Sequence, residues 1–177
     1  MAKQNWAVDV SHSSLEFSVK HMMIATVRGS FHEFTASVEA DPQDLTSANI
    51  RFDVGVGSVD SRNADRDAHL KSADFFDVEK YPTLSFVSTS VKKTGDDEYD
   101  VTGDLTIRDV TKPVTFAVVF EGEGQDPWGN QRVGFSGSAK INRRDFGLSW
   151  NVPLEKGGVL VGETVNIRIE IEAIPAS

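Results

Sequence analysis

Ser14-Leu15-Glu16-Phe17-Ser18-Val19-Lys20-His21 alternates without a miss. In an extended chain Leu15, Phe17, Val19 and His21 fall on one face and Ser14, Glu16, Ser18 and Lys20 on the other, the period of two that marks a strand buried on one side only. The same period recurs downstream. Val27, Gly29 and Phe31 are in phase, and the pattern resumes one position late with Phe34, Ala36, Val38 and Ala40, so an extra residue, a β-bulge near His32-Glu33, is expected to bend that strand. Further runs follow at Ile50/Phe52/Val54/Val56, Leu84/Phe86/Ser88, Tyr99/Val101/Gly103/Leu105/Ile107, Val114/Phe116/Val118/Phe120, Val133/Phe135/Gly137/Ala139/Ile141 and Val165/Ile167/Ile169/Ile171. The spacing predicts eight strands.

Turn chemistry separates them at Asp41-Pro42, Thr94-Gly95-Asp96-Asp97, Lys112-Pro113 and Asp126-Pro127-Trp128-Gly129-Asn130. Short connections between consecutive strands imply antiparallel neighbours. Several strands exceed the usual length of about 5–6 residues, and a tall sheet with one apolar face must find a partner layer or close on itself. No second apolar layer is visible, which favours an all-β, eight-stranded antiparallel barrel. One stretch breaks the alternation, Ser61-Arg62-Asn63-Ala64-Asp65-Arg66-Asp67-Ala68-His69-Leu70-Lys71, with helix formers, candidate caps in Ser61 or Asn63, and an Asp67/Lys71 pair four apart. A short helix between strands is expected there, anchored on one end of the barrel by Phe75-Phe76.

With 177 residues and no linker, repeat or low-complexity segment, the chain reads as one domain over residues 1–177. A net charge of -9 argues against nucleic acid and anionic membranes as charge-driven partners. The absence of cysteine excludes disulfides, thiolate metal sites and cysteine nucleophiles. No apolar run approaches the roughly 18 residues of a membrane span, so stable membrane insertion is not expected. Met1-Ala2-Lys3-Gln4-Asn5-Trp6 shows no basic segment followed by an apolar one, so a cytoplasmic location is expected for the chain as given, and a periplasmic or secreted one if a leader was removed. A homodimer is the expected oligomer on the general prevalence of symmetric pairs.

An eight-stranded barrel can be filled by its own side chains or hold one small ligand. Gly29, Ser88, Ser90, Gly103, Gly137 and Ala139 interrupt an inward phase otherwise rich in phenylalanine. They either leave a cavity or mark bends and close backbone approaches, and composition alone supports both.

Several ordered motifs narrow the choice. They are Val8-Asp9 with His12-Ser13 and Phe17-Ser18-Val19-Lys20-His21; Gly29-Ser30-Phe31; Arg66-Asp67-Ala68-His69-Leu70; Phe75-Phe76-Asp77 with Tyr81-Pro82 and Phe86; Gly103-Asp104-Leu105-Thr106-Ile107-Arg108 with Val110-Thr111-Lys112-Pro113-Val114; and Asn142-Arg143 with Asp145-Phe146-Gly147. In these the chain resembles the YceI-like family, described as polyisoprenoid-binding proteins with a lipocalin-like barrel. Asp109 stands where that family often has glycine in a turn. The resemblance implies a lipocalin-like fold and a buried amphiphile with a long isoprenoid tail, such as a quinone or prenyl phosphate, and the expected role is that of a carrier, store or sensor of an isoprenoid or similar amphiphilic lipid. Water expels such a tail at roughly 0.8 kcal/mol per CH₂, so an apolar tunnel needs few polar contacts to bind it. The expected ligand-binding walls are Phe17, Val19, Phe31, Phe52, Phe86, Leu105, Phe116, Phe135 and Ile167. His21 is expected at the rim, and Trp150 over the head group, carried by a lid from Leu148 to Gly158. Gly103→Leu or Gly137→Leu is expected to plug the tunnel.

No catalytic residues, metal or cofactor are expected. His12, His21, His32 and His69 show no HxxxH spacing, and no GxSxG, P-loop or dinucleotide fingerprint is present. Arg66, Asp67 and His69 cannot converge from one short helix, so structural ties are expected instead, from Asp67 to Arg143 or Arg62 and from Asp145 to the turn at Phe146-Gly147. Two alternatives remain: an acid/base enzyme acting on an apolar substrate through His21 and a carboxylate, and a packed barrel working through its surface in a stress response.

Overall fold

In the computed structural model, which describes residues 3–155 and 157–176, the strands are β1 (Gln4–Val8), β2 (Ser14–His21), β3 (Ala25–Phe31), β4 (Phe34–Asp41), β5 (Asp44–Gly55), β6 (Val59–Asp60), β7 (Thr83–Lys93), β8 (Glu98–Ile107), β9 (Val110–Gln125), β10 (Gln131–Asn142) and β11 (Val161–Pro175). One helix, α1 (Ala64–Lys71), follows β6. All pairings are antiparallel, and β1 closes the sheet onto β11. The strands make eight staves. β1 and β2 lie end to end along β11, with Trp6 opposite Pro175 and Leu15 opposite Ile169. β4 and β3 continue one another opposite β1 and β2, and β5 with β6 forms the next stave. Closure leaves the ring of staves without a free edge along most of its height, the usual answer to unpaired strand edges.

The eight alternating runs are therefore eight staves, with differences that have physical causes. β1 was invisible to periodicity because only Trp6 and Val8 carry apolar phase over five residues, yet Trp6 is buried in a cluster with Ala40, Val133 and Ala173. The irregularity at His32-Glu33 is a break between two strands. There the Glu33 N–H donates to the Ser58 hydroxyl (3.0 Å) and the Glu33 carbonyl accepts from the Gly55 N–H (2.8 Å). Lys112-Pro113 is not a turn but lies inside β9, where Pro113 faces Asp104 of β8 and β10 has not yet joined, a one-sided position that tolerates a missing N–H. The turn is Arg108-Asp109, with Arg108 in the left-handed region. In β7 the register shifts between Ser88 and Ser90, so Ser90 is exposed while Val91 turns inward.

The turns at residues 22–24, 61–82, 108–109 and 143–160 cluster at one end of the barrel, called here the helix end. Helix α1 starts at Asn63, whose side chain accepts from the Arg66 N–H (3.0 Å). Asp67 does not reach Arg143 or Arg62. It accepts from the Ser61 N–H (2.8 Å) and hydroxyl, while Arg66 donates to the Ser61 hydroxyl (2.9 Å) and carbonyl (2.8 Å). The expected salt ties are thus routed through one buried serine. Phe75 and Phe76 pack inward as expected, and Arg108 secures their loop through the Phe75 carbonyl and the Tyr81 ring. At the turn Arg143–Phe146 the cap is Asn142, accepting from the Arg144 N–H, rather than Asp145.

Candidate functional site

A cavity of about 970 Å³ runs through the barrel, lined from Gln4, Trp6 and Gln43 at the far end to Arg66, His69 and Trp150 at the helix end. This is near the top of the range of roughly 300–1,000 Å³ for small-molecule sites. Its walls come from the inward phase of the strands. Phe17, Val19, Phe31, Phe52, Phe86, Leu105, Phe116, Phe135 and Ile167 all line it, with His21 at the rim and Trp150 at the helix end. Phe17, Val19, Phe31, Phe52 and Ile167 remain half-buried although they face inward, because the space before them is not filled by protein.

The glycines do not create that space directly. A Cβ on Gly29 would lie 2.4 Å from Cζ of Phe17, and one on Gly103 would lie 2.5 Å from both Cζ of Phe86 and the Val87 carbonyl oxygen. Each of these two glycines leaves room for the distal edge of a phenyl ring, Phe17 at Gly29 and Phe86 at Gly103. At Gly137 the neighbours are Ile169 and Val118, at 3.0 Å and beyond. Gly103→Leu would therefore collide with the wall, including a backbone oxygen, and is unsuited as a plug, whereas Gly137→Leu requires the Ile169 and Val118 side chains to give by a few tenths of an ångström. Ring contacts continue around the bore: Phe17–Phe31 at 5.5 Å, Phe86–Phe116 at 5.2 Å and Phe120–Phe135 at 5.3 Å between centroids.

The helix end carries an aromatic group in which the His69 ring meets Trp150 edge-on at 4.5 Å and Phe75 at 5.0 Å. His69 is turned by Asp74, its Nε2 lying 2.9 Å from the carboxylate. The segment expected as a lid is not a free loop. Buried Arg143 donates to the carbonyls of Leu148 (2.6 Å), Trp150 (2.9 Å), Val161 (3.2 Å) and Gly162 (2.7 Å), and Asn151 exchanges two hydrogen bonds with Val161. Beyond the Pro153–Val159 bridge the Leu154 N–H donates to the Gly158 carbonyl (3.1 Å) and the Gly157 N–H to the Leu154 carbonyl (3.1 Å), and Lys156 lies outside the described residues. Burial pushes the Arg143 pKa down, with Glu163 pulling it back up. Among the described residues no carboxylate hydrogen-bonds to this guanidinium, so a positive charge stays beside the cavity, whose lining also holds Lys20 and Arg66, with Asp65 as the acidic neighbour at this end.

Sequence reasoning missed Trp6, Tyr99, Arg66, Arg143 and Leu148 as lining residues. Tyr99 was legible from its alternating run. Arg143 carried no signal of burial, because an arginine beside a second arginine in a turn reads as solvent-exposed. His21 is exposed and, among the described residues, hydrogen-bonds to no carboxylate, so the acid/base pair considered from sequence is not assembled. Asp9, His12 and Glu172 place ligand-type atoms within 4.8 Å of one another. The two carboxylates hold the guanidinium of Arg132, 2.9 Å from Asp9 and 3.0 Å from Glu172, and the His12 Nδ1 lies 2.8 Å from Asp9.

A closed antiparallel barrel with an apolar bore and pinned ends defines a hollow, calyx-like β-barrel protein. Within that class the chain belongs to the YceI-like domain family, whose model matches residues 6–173. A UPF0312 protein of Pseudomonas putida KT2440 is 41% identical over 163 residues, covering 92% of this chain and 81% of the relative. Among solved structures, Burkholderia cenocepacia BcnA superposes with TM-score 0.80 at 26% identity, over 93% of this chain and 98% of that one. The Campylobacter jejuni YCEI protein gives 0.77 at 29% identity, over 89% and 90%. A polyisoprenoid binding domain from Saccharophagus degradans shares the fold, with TM-score 0.71 at 13% identity over 97% and 98%.

Proposed function

We propose that this protein binds one long-tailed amphiphile, an isoprenoid such as a quinone or prenyl phosphate, with its tail in the bore, and that it acts as a carrier, store or sensor rather than as an enzyme. The observation that carries the reading is the cavity itself: about 970 Å³, continuous through the barrel and walled by phenylalanine and branched aliphatic side chains. About ten tail carbons buried there would release roughly 8 kcal/mol gross, a micromolar-class contribution before any polar contact or ordering cost. The cations at the helix end favour a head group with negative charge or strong acceptors at that end. The shared fold of the Saccharophagus degradans domain, described as polyisoprenoid-binding, supports the same class of ligand.

The test is native mass spectrometry of freshly purified protein, followed by solvent extraction and identification of what is released. A stoichiometric long-tailed lipid is expected. A clean apo mass that does not change after incubation with coenzyme Q and with a polyprenyl phosphate would overturn the reading.

A further inference from the structure

The hairpin joining β2 to β3 ends in Met22-Met23-Ile24, and these side chains are 43%, 59% and 81% exposed. Hairpin tips ordinarily use Asn, Asp or Gly, above all where positive φ is required. Here Met22 and Met23 both occupy the left-handed region (φ 53 and 63), and the His21 carbonyl accepts from the Ile24 N–H across the turn. The sequence thus keeps large apolar side chains at a place where small polar ones would suit the backbone better and leave less apolar surface in water.

The tip adjoins the helix end of the cavity. His21 and Lys20 line the cavity, and the Met22 N–H donates to the carbonyl of Leu160, another lining residue (2.8 Å). Gly158 lies against Met23, and Val152, 42% exposed, extends the apolar surface on the neighbouring segment. Charge distinguishes the tip's own hairpin from the far end, while the other turns of the helix end are balanced, with Asp65, Asp67, Asp74, Asp77, Glu79, Asp109 and Asp145 against Arg62, Arg66, Lys71, Lys80, Arg108, Arg143 and Arg144. Residues 17–32 contain Lys20, Arg28 and two histidines but no carboxylate, in a chain with 27 acidic and 18 basic residues; the segment beside the tip adds Glu155. The far end carries Asp96, Asp97, Glu98, Glu121, Glu123 and Asp126 around its own exposed aromatic residue, Trp128.

We infer that Met22-Met23-Ile24 is a membrane-docking tip that seats the helix end of the barrel on an anionic lipid surface, so that an amphiphile can pass between bilayer and bore without crossing water. A short apolar prong flanked by cations is the chemistry of interfacial binding, whereas the acidic far end is repelled by the same surface. The inference rests on the lipid-binding reading for its purpose, not for its evidence.

The experiment is co-sedimentation of the full chain with vesicles of phosphatidylcholine containing phosphatidylglycerol, and with vesicles of phosphatidylcholine alone. The wild-type chain is compared with the triple variant Met22→Asn, Met23→Gly, Ile24→Ser and with Trp128→Ser. The triple variant suits the turn, so folding is retained. Wild type and Trp128→Ser are expected to bind anionic vesicles, more weakly with added salt, and the triple variant to lose at least about tenfold in partitioning. No vesicle binding by wild type, undiminished binding by the triple variant, or a loss confined to Trp128→Ser would each overturn the proposal. So would a wild-type dimer that the triple variant converts to monomer with vesicle binding unchanged, since the tip would then be a contact between copies. Cargo measured on the same samples keeps the two readings apart: an empty barrel that binds vesicles refutes lipid binding alone, and a loaded barrel that ignores vesicles refutes docking alone.

Discussion

Replacing Ile167 with tryptophan asks the barrel directly whether its interior is free space. Ile167 is half-buried, lines the cavity on β11 and stands between Phe17 of β2 and Ala139 of β10. The substitution adds roughly six heavy atoms, and if each displaces one tail carbon at about 0.8 kcal/mol the loss approaches 5 kcal/mol. Half of that, for a tail that bends aside, is about 2.5 kcal/mol or roughly a sixtyfold rise in Kd. In a packed core the same ring would be overpacked and cost about 1–3 kcal/mol of stability. With about 970 Å³ available, the variant is expected to keep the wild-type Tm. Titration with geranylgeraniol, paired with thermal denaturation of the apo protein, reads both quantities. Unchanged affinity, or a large fall in Tm, would refute the hollow-barrel reasoning.

Gly103→Ala is expected to destabilise by about 1–3 kcal/mol, read by chemical denaturation, because its Cβ meets the Phe86 ring and a backbone carbonyl that cannot yield. Arg143→Gln strips donors from several carbonyls of residues 148–162. It should cost about 3 kcal/mol or more and raise lipid release rates in a stopped-flow displacement assay. Hydrogen bonds from Ser11, His12 and Arg132 hold the Asp9 carboxyl well below the usual carboxylate range, against the opposing effect of burial. Because that folded pKa is depressed, the stabilisation is present above the unfolded value of about 3.9 and lost as pH falls below it. Asp9→Asn should lower Tm by about 2–4 °C at pH 7, and its deficit against wild type should shrink from about pH 4 downward in a pH-resolved melting series.

The barrel was legible in the sequence because its staves are one-sided: Leu15, Phe17 and Val19, or Val165, Ile167 and Ile169, announce a face that must be hidden. The wall residues followed from the same phase. What the period could not reveal was set by contacts between distant segments. Trp6 closes the ring only because β11 is long enough to pair with both β1 and β2. The roles of Gly29 and Gly103 depend on which ring lies across the neighbouring strand. Ser90 looked inward until a register shift at Thr89 turned Val91 to the bore in its place. Arg143 was hidden for the opposite reason, since its partners are backbone carbonyls and leave no mark on side-chain pattern.

A wall cannot serve fully as core and as binding surface at once. Ile50, Phe52, Ile167 and Ile169 face inward yet stay half-buried, and among the described residues Val56, outside the cavity lining, is the large side chain enclosed below 2% exposure. Stability must then come chiefly from the closed ladder and from side-chain clusters set into the wall and ends: Trp6 with Val133 and Ala173, Leu15 with Phe34 and Val54, and Phe146 with Leu148. The apolar area left uncovered along the bore is hydrophobic stabilisation that folding does not collect. A tail entering the bore collects it, and a ligand that binds only the folded state raises stability by mass action, about 2.7 kcal/mol at a free concentration one hundred times Kd. Emptiness thus costs the apo barrel part of its core and in return couples cargo to stability. That coupling explains why the ends are pinned by Arg143 and the Arg132 network rather than by more wall packing: they hold the shape whether or not the bore is filled.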